Sequence, residues 1–114
     1  MAATDRELVT RAALDYFEGW FDGDPQRMDR ALHAELVKRD GDDELDAMTK
    51  ADMVEATQRG QGRRDDGRDV EVEVVDIHGP IASAVVRSVP YREYLHLVRT
   101  QDGWKIANTL YARS

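Results

Sequence analysis

A carboxylate stands out on what should be the greasy side of a hairpin. In "EYLHLVRTQDGWKIANTL" (Glu93 to Leu110) the residues Gln101-Asp102-Gly103 read as a tight turn between two alternating strands. Pairing outward from that turn sets Arg99 opposite Trp104, Leu97 opposite Ile106, Leu95 opposite Asn108 and Glu93 opposite Leu110. One face then carries Glu93, Leu95, Leu97, Trp104, Ile106, Asn108 and Leu110. The other carries Arg92, Tyr94, His96, Val98, Lys105, Ala107, Thr109 and Tyr111. The first is the better core, and Glu93 and Asn108 are its polar exceptions. A carboxylate partly withdrawn from water is suited to moving a proton, and Asn108 can orient a carbonyl or hydroxyl. The competing reading is structural: Glu93 pairs with an arginine, such as Arg39 or Arg92, because a buried carboxylate needs a partner. A register slip of one residue would exchange the two faces.

Other groups of chemically able residues lack the spacing that their chemistry needs. His33, His78 and His96 are scattered, with no carboxylate at ligand spacing to any two of them, so no metal site is expected. His33 closes the second predicted helix, where a cation at the C-terminal end is favourable in itself. The acidic run "DGDDELD" fails as a calcium loop: counted from Asp40, its sixth and twelfth positions are Leu45 and Ala51, where glycine and glutamate are required. The "GQG" at Gly60 to Gly62 follows a helix instead of opening one, so it is no phosphate cradle. With no cysteine in the chain, thiolate chemistry and disulfides are excluded.

Totals narrow the classes further. A length of 114 residues suits one domain, residues 1–114, and 41% hydrophobic against 34% charged residues is a globular balance. A net charge of −7 argues against a nucleic-acid partner and against an anionic membrane surface. The lack of cysteine and of an apolar leader reads as a cytoplasmic protein. No cofactor signature is present.

The elements that must position Glu93 are legible. "TDRE" is a capping box, followed by Leu8, Val9, Ala12, Ala13, Tyr16, Phe17 and Trp20 at helical spacing, with Gly23 as a stop. Asp24-Pro25 starts a short second helix with Met28, Ala31 and Leu32 inward. "ELVKRD" reads as a short strand. Thr49, through Asp52, caps a third helix that ends at Gly60. Beyond the loop "GQGRRDDGRD" the period changes to two, giving "VEVEVVDI", a turn at "HGP", "IASAVVRSV", a break at Pro90, and the hairpin. Helices followed by antiparallel strands make an α+β pattern in which the helices cover one sheet face.

The segments "YFEGWFDGD", "ALHAELVKRD", "MTKADMVEATQRG", "VEVVDIHGPIASAVV" and "YREYLHLVRTQDGWKIANTLY" together resemble the nuclear transport factor 2-like superfamily, and within it the group labelled putative lumazine-binding. The resemblance covers most of the chain. It implies a cystatin-like cone, in which a strongly curved antiparallel sheet wraps around three N-terminal helices and leaves a pocket at its open end. It also implies a homodimer through the outer sheet face, here Tyr94, His96 and Tyr111. "YFEGWFDGD" is similar as well to the opening of ketosteroid isomerase, which implies Tyr16 as a donor to a substrate oxygen and Asp40 as a base, with Glu93 as a third polar group. On this reading an apolar pocket is bordered by Tyr16, Phe17, Trp20, His33, Glu93, Asn108 and Leu110, and the leading function is binding of a small molecule. The alternatives are a cofactor-free isomerase, dehydratase or cyclase acting on a polycyclic or polyketide-like substrate, and a dimeric interaction module with a vestigial pocket.

Overall fold

A computed structural model describes residues 2–114. Helix α1 spans Asp5–Asp22 and α2 spans Pro25–Ala31. Strand β1, Leu32–Asp40, and the short β2, Asp46–Met48, precede α3, Lys50–Gln58. The chain then runs through β3 (Glu71–His78), β4 (Ile81–Arg87), β5 (Tyr91–Thr100) and β6 (Gly103–Arg113). The strands form one open, curved sheet in the order β2-β1-β6-β5-β4-β3, with the three helices against its concave face. Every neighbouring pair is antiparallel except β1 with β6, which run parallel.

The caps operate as the sequence predicts. Thr4 accepts from the Glu7 amide to begin α1, and Gly23 ends it in the left-handed region at φ 66°. Asp24 accepts from the amides of Gln26 and Arg27 to start α2, and Thr49 and Asp52 form a reciprocal box at α3. Val9, Ala13, Tyr16, Phe17 and Phe21 form the buried stripe of α1, while Leu8 reaches the surface. Leu32 is buried as expected, but as the first residue of β1 and not the last of α2.

Sheet register decides which side chains enter the cone. The hairpin pairs as expected from Thr100↔Gly103 through Leu97↔Ile106. Ala107 is then an extra residue: the next pairs are His96↔Asn108, Leu95↔Thr109, Tyr94↔Leu110 and Glu93↔Tyr111. This β-bulge moves every later β6 side chain to the opposite face. Asn108 and Leu110 therefore point outward and are exposed, and Thr109 and Tyr111 point into the cone and are buried. The placement of Asn108 and Leu110 on the inner face, and of Tyr111 on the outer one, is corrected accordingly.

With the bulge in place, two inner rungs cross the sheet. One runs Asp40, Tyr111, Glu93, Val86, Val72, and the next runs Lys38, Thr109, Leu95, Ala84, Val74. The polar ends of these rungs meet the face of α1 that carries Tyr16. The loop between α3 and β3 straps the end of α1: the Arg64 amide donates to the Phe21 carbonyl, and Arg68 pairs with Asp22 at 2.7 Å.

Candidate functional site

Glu93 is 2% exposed, so its carboxylate has to be satisfied within the protein. Neither Arg39 nor Arg92 does this, since both side chains lie on the other face of their strands. The Tyr16 hydroxyl donates to Glu93 Oε2 at 2.6 Å, and Lys38 Nζ lies 3.6 Å from the same oxygen. Lys38 Nζ also donates to the Tyr16 hydroxyl. The result is a closed triangle of lysine, tyrosine and glutamate contributed by β1, α1 and β5.

Lys38 is the component that sequence reasoning missed. It is 7% exposed, in the second half of β1, where the inward positions are Leu36, Lys38 and Asp40. Its ammonium also lies over the Tyr111 ring, 4.4 Å from the centroid, and 5.0 Å from that of Tyr16. Burial pulls its pKa below the ordinary lysine value, and the adjacent Glu93 charge opposes that pull. Burial raises the Tyr16 hydroxyl well above the ordinary tyrosine value, and the Glu93 carboxylate it donates to raises it further. The available signal was the period of two in "ELVKRD", which puts Lys38 in step with Leu36 instead of with Val37.

A second polar cluster sits beside the first. Asp40 accepts from Tyr111 at 2.9 Å and meets Arg113 at 3.4 Å, and its carboxylate also takes the Asp42 amide. Burial alone would raise the Asp40 pKa, but the Asp42 amide, the Tyr111 hydroxyl and Arg113 outweigh it and hold the pKa below the usual value. Burial, with Asp40 as its acceptor, pushes Tyr111 up to about 12. Asp40 begins an acidic turn, yet it is 7% exposed and fully engaged. Tyr16 and Asp40 therefore do not face each other as a free donor and base: one is bound to Glu93 and Lys38, the other to Tyr111 and Arg113.

The inside of the cone is nearly filled by the protein's own side chains. Between Tyr16, Phe17, Trp20, Lys38, Tyr91 and Glu93 only about 10 Å³ is free, room for about one water molecule. Trp20, Lys38 and Tyr91 are also walls of a larger opening of about 280 Å³. Its remaining walls include Met48, Met53 and Tyr111, with Arg113 at the rim. Gly62 fixes the Trp20 wall, because a Cβ there would lie 2.0 Å from the indole Cε2. Of the residues expected around a pocket, Tyr16, Phe17, Trp20 and Glu93 come together. His33 does not: it stands at the start of β1, where its Nδ1 accepts from the Glu35 amide, and it borders neither space.

The outer face has a hollow of its own, about 390 Å³, bordered by His78, Ile81, Ser83, His96 and Asn108. It is larger than the inner opening, but it lies on an open sheet surface without a buried charged group. The inner opening ends on Lys38 and the polar triangle, the convergence expected of a ligand site. Among the described residues no group of three histidine, aspartate or glutamate side chains is placed to hold a metal ion.

Over residues 4–112 the chain matches the family described as Putative lumazine-binding. The chain belongs to this family. Solved structures with the same fold include an NTF-2 like protein of unknown function from Silicibacter pomeroyi DSS-3, with a TM-score of 0.77 and 15% identity, over 98% of this chain and 100% of that one. A ketosteroid isomerase-like protein from Erwinia carotovora atroseptica SCRI1043 has a TM-score of 0.70 and 15% identity, over 94% of each chain. A domain of unknown function with a cystatin-like fold from Nostoc punctiforme PCC 73102 has a TM-score of 0.73 and 11% identity, over 100% of this chain and 80% of that one. No curated protein matches the chain. The α+β cone is thereby shared with the NTF2-like and cystatin-like structures, while family and fold leave the ligand unnamed.

Proposed function

We propose that the protein binds a small, mostly apolar molecule with one or two polar handles in the opening between α3, β2 and the mouth of the cone. The observation that carries this reading is Lys38: a nearly buried ammonium that forms a wall of both the small void and the larger inner opening. A charge is costly to keep out of water, and its retention at the end of an aromatic and thioether-lined space fits the polar handle of a ligand. Trp20, Tyr91 and Tyr111 supply flat apolar walls for the ligand body. The family's description, lumazine-binding, is compatible with a flat ligand, as the walls are. A thermal-shift screen of aromatic and heteroaromatic compounds tests the reading. Hits should stabilise wild type and lose their effect in Trp20→Ala, whereas hits that stabilise both proteins equally count against it.

The second part of the proposal is self-association. The outer face exposes Tyr94 at 50%, Ile81 at 55% and Val75 at 53%, together with Val37 and Leu110. Tyr94, paired with Leu110 and Val85, stands at the middle of this apolar surface. A second copy covering that face, as the family resemblance implies, removes these side chains from water. Tyr111 takes no part in this interface. The reading of the chain as cytoplasmic belongs to the proposal too. Among the described residues no helix is long and apolar enough to cross a membrane.

A further inference from the structure

We propose that Lys38 is an imine-forming lysine, whose Nζ takes the carbonyl carbon of an aldehyde or ketone ligand while Tyr16 and Glu93 relay the protons. The inference rests on the opening being the ligand site, because Lys38 is reached through it.

The geometry is that of a proton relay ending on an amine. Lys38 Nζ donates to the Tyr16 hydroxyl, which donates onward to Glu93 Oε2 at 2.6 Å. Moving one proton from Nζ to the Tyr16 oxygen, and the tyrosine's own proton to Oε2, yields a neutral amine and a neutral carboxylic acid, with Tyr16 unchanged. Burial pulls the Lys38 ammonium toward release of its proton, and the hydrogen-bonded path to Glu93 gives that proton a route. Around Nζ stand the Tyr16 and Tyr111 rings and the Trp20 indole, with the Asp40–Arg113 pair beyond. Lys38 also borders the opening, the side from which a carbonyl would reach it.

The chemistry balances on these groups alone. The Lys38 lone pair attacks the carbonyl carbon, a C–N bond forms and the C=O π bond opens onto oxygen. The oxygen takes the proton held by Glu93, and the nitrogen returns one proton to the relay, giving a carbinolamine. A second proton from the relay carries the oxygen away as water while the nitrogen lone pair closes the C=N bond, and the protonated imine returns its N–H proton to the relay. Amine and carbonyl have become imine and water, and water addition reverses the sequence.

The chain holds three lysines, Lys38, Lys50 and Lys105, so the reaction has internal controls. Lys50 is paired with Asp29, and Lys105 donates to the Arg30 carbonyl, both away from the opening. The folded protein is incubated at neutral pH with 2-naphthaldehyde and sodium cyanoborohydride, and the reduced adducts are assigned by peptide mass spectrometry. Labelling at Lys38 should outrun that at Lys50 and Lys105 by roughly tenfold or more, the gain expected when the amine is relieved of its proton and the carbonyl is held beside it. Tyr16→Phe should slow it, and Lys38→Arg should abolish it. The alcohol 2-naphthalenemethanol, which cannot form an imine, reports binding by thermal shift. If the alcohol stabilises the protein but Lys38 labels no faster than Lys50 and Lys105, the imine is overturned and the binding site stands. If the alcohol gives no shift and Lys38 is not preferred, both are overturned.

Discussion

Tyr16 and Glu93, 77 positions apart in sequence, are joined by a 2.6 Å hydrogen bond that ties the middle of α1 to the start of β5. The bond places a phenol and a carboxylate among core residues and leaves Lys38 as the single charge opposing Glu93 at close range. Stability, proton balance and the ligand reading all pass through these three side chains.

Removing the phenol oxygen should be felt at Glu93 first. Tyr16→Phe leaves a buried carboxylate short of one donor, so the variant should lose about 1–3 kcal/mol of stability. Chemical denaturation with an unchanged slope and a lower midpoint would show that the loss is local.

Lys38 and Glu93 should be strongly non-additive. Lys38→Met strands the Glu93 charge and should cost about 3–5 kcal/mol. The double variant Lys38→Met with Glu93→Leu should be less damaged than the two single changes predict, with a coupling of about 0.5–3 kcal/mol in a double-mutant cycle. Simple additivity would mean that the two charges do not interact in solution.

Carboxylates and phenols set opposite ends of the pH profile. Asp40 has a folded-state pKa below 3.8, so its contribution is complete above that pH and is lost as pH falls through the folded value. Asp15, held down by Arg30 and Arg27 against burial, contributes in the same direction. Asp40→Asn should therefore flatten acid unfolding without abolishing it. At the alkaline end the folded Tyr16 and Tyr111 hold their protons above pH 10, where unfolded tyrosine releases them. The tyrosine contribution should be intact below pH 10 and be lost as pH rises through the folded values, Tyr111's at about 12. Phenolate absorbance of native and denatured protein, compared over that range, measures the effect. Lys38 works the other way, because the unfolded lysine keeps its proton longer. Stability should rise with pH in the window just below 10.5, and Lys38→Met should remove the rise.

Gly62 should tolerate no side chain. A Cβ there overlaps the Trp20 indole, so Gly62→Ala must displace either the ring or the strap, at a cost of about 1–3 kcal/mol. A shift in Trp20 fluorescence at constant Trp104 environment would locate the change at the opening.

Tyr94→Asp should leave the fold intact and convert a dimer to a monomer in sedimentation, since it places a charge at the middle of the exposed apolar face. A wild type that sediments as a monomer contradicts the self-association proposal.

Much of this was legible in the sequence because it is local. The caps at Thr4, Asp24 and Thr49 and the stop at Gly23 follow from side chains that satisfy free helix ends, and the change of period after Asp69 marks the sheet. Glu93 falls on the inner face in sequence and structure alike because alternation in β5 continues without interruption to the turn. The errors begin at Ala107. Beyond it, Asn108 with Leu110 and Thr109 with Tyr111 are equally good candidates for the inner face, and nothing local marks the extra residue. The parallel partner β1 decides the choice: Lys38 aligns with Thr109 and Asp40 with Tyr111, and only this arrangement lets Tyr111 meet Asp40. Lys38 was missed for the related reason that a strand's buried face is recognised by its apolar residues, and here two of three inward positions at its end are charged.

We propose that ligands enter between Trp20, Lys38 and Tyr111. Amide and indole NMR of the labelled protein, titrated with the strongest thermal-shift hit, tests it most directly, because the two tryptophans report from different places. Trp20 borders the opening, while the Trp104 indole donates to Asp5 at 3.1 Å outside it. The Trp20 indole and the amides of Lys38 and Tyr111 should shift together while Trp104 stays still. Shifts confined to His96, Asn108 and their outer-face neighbours, with Trp20 unmoved, would contradict it.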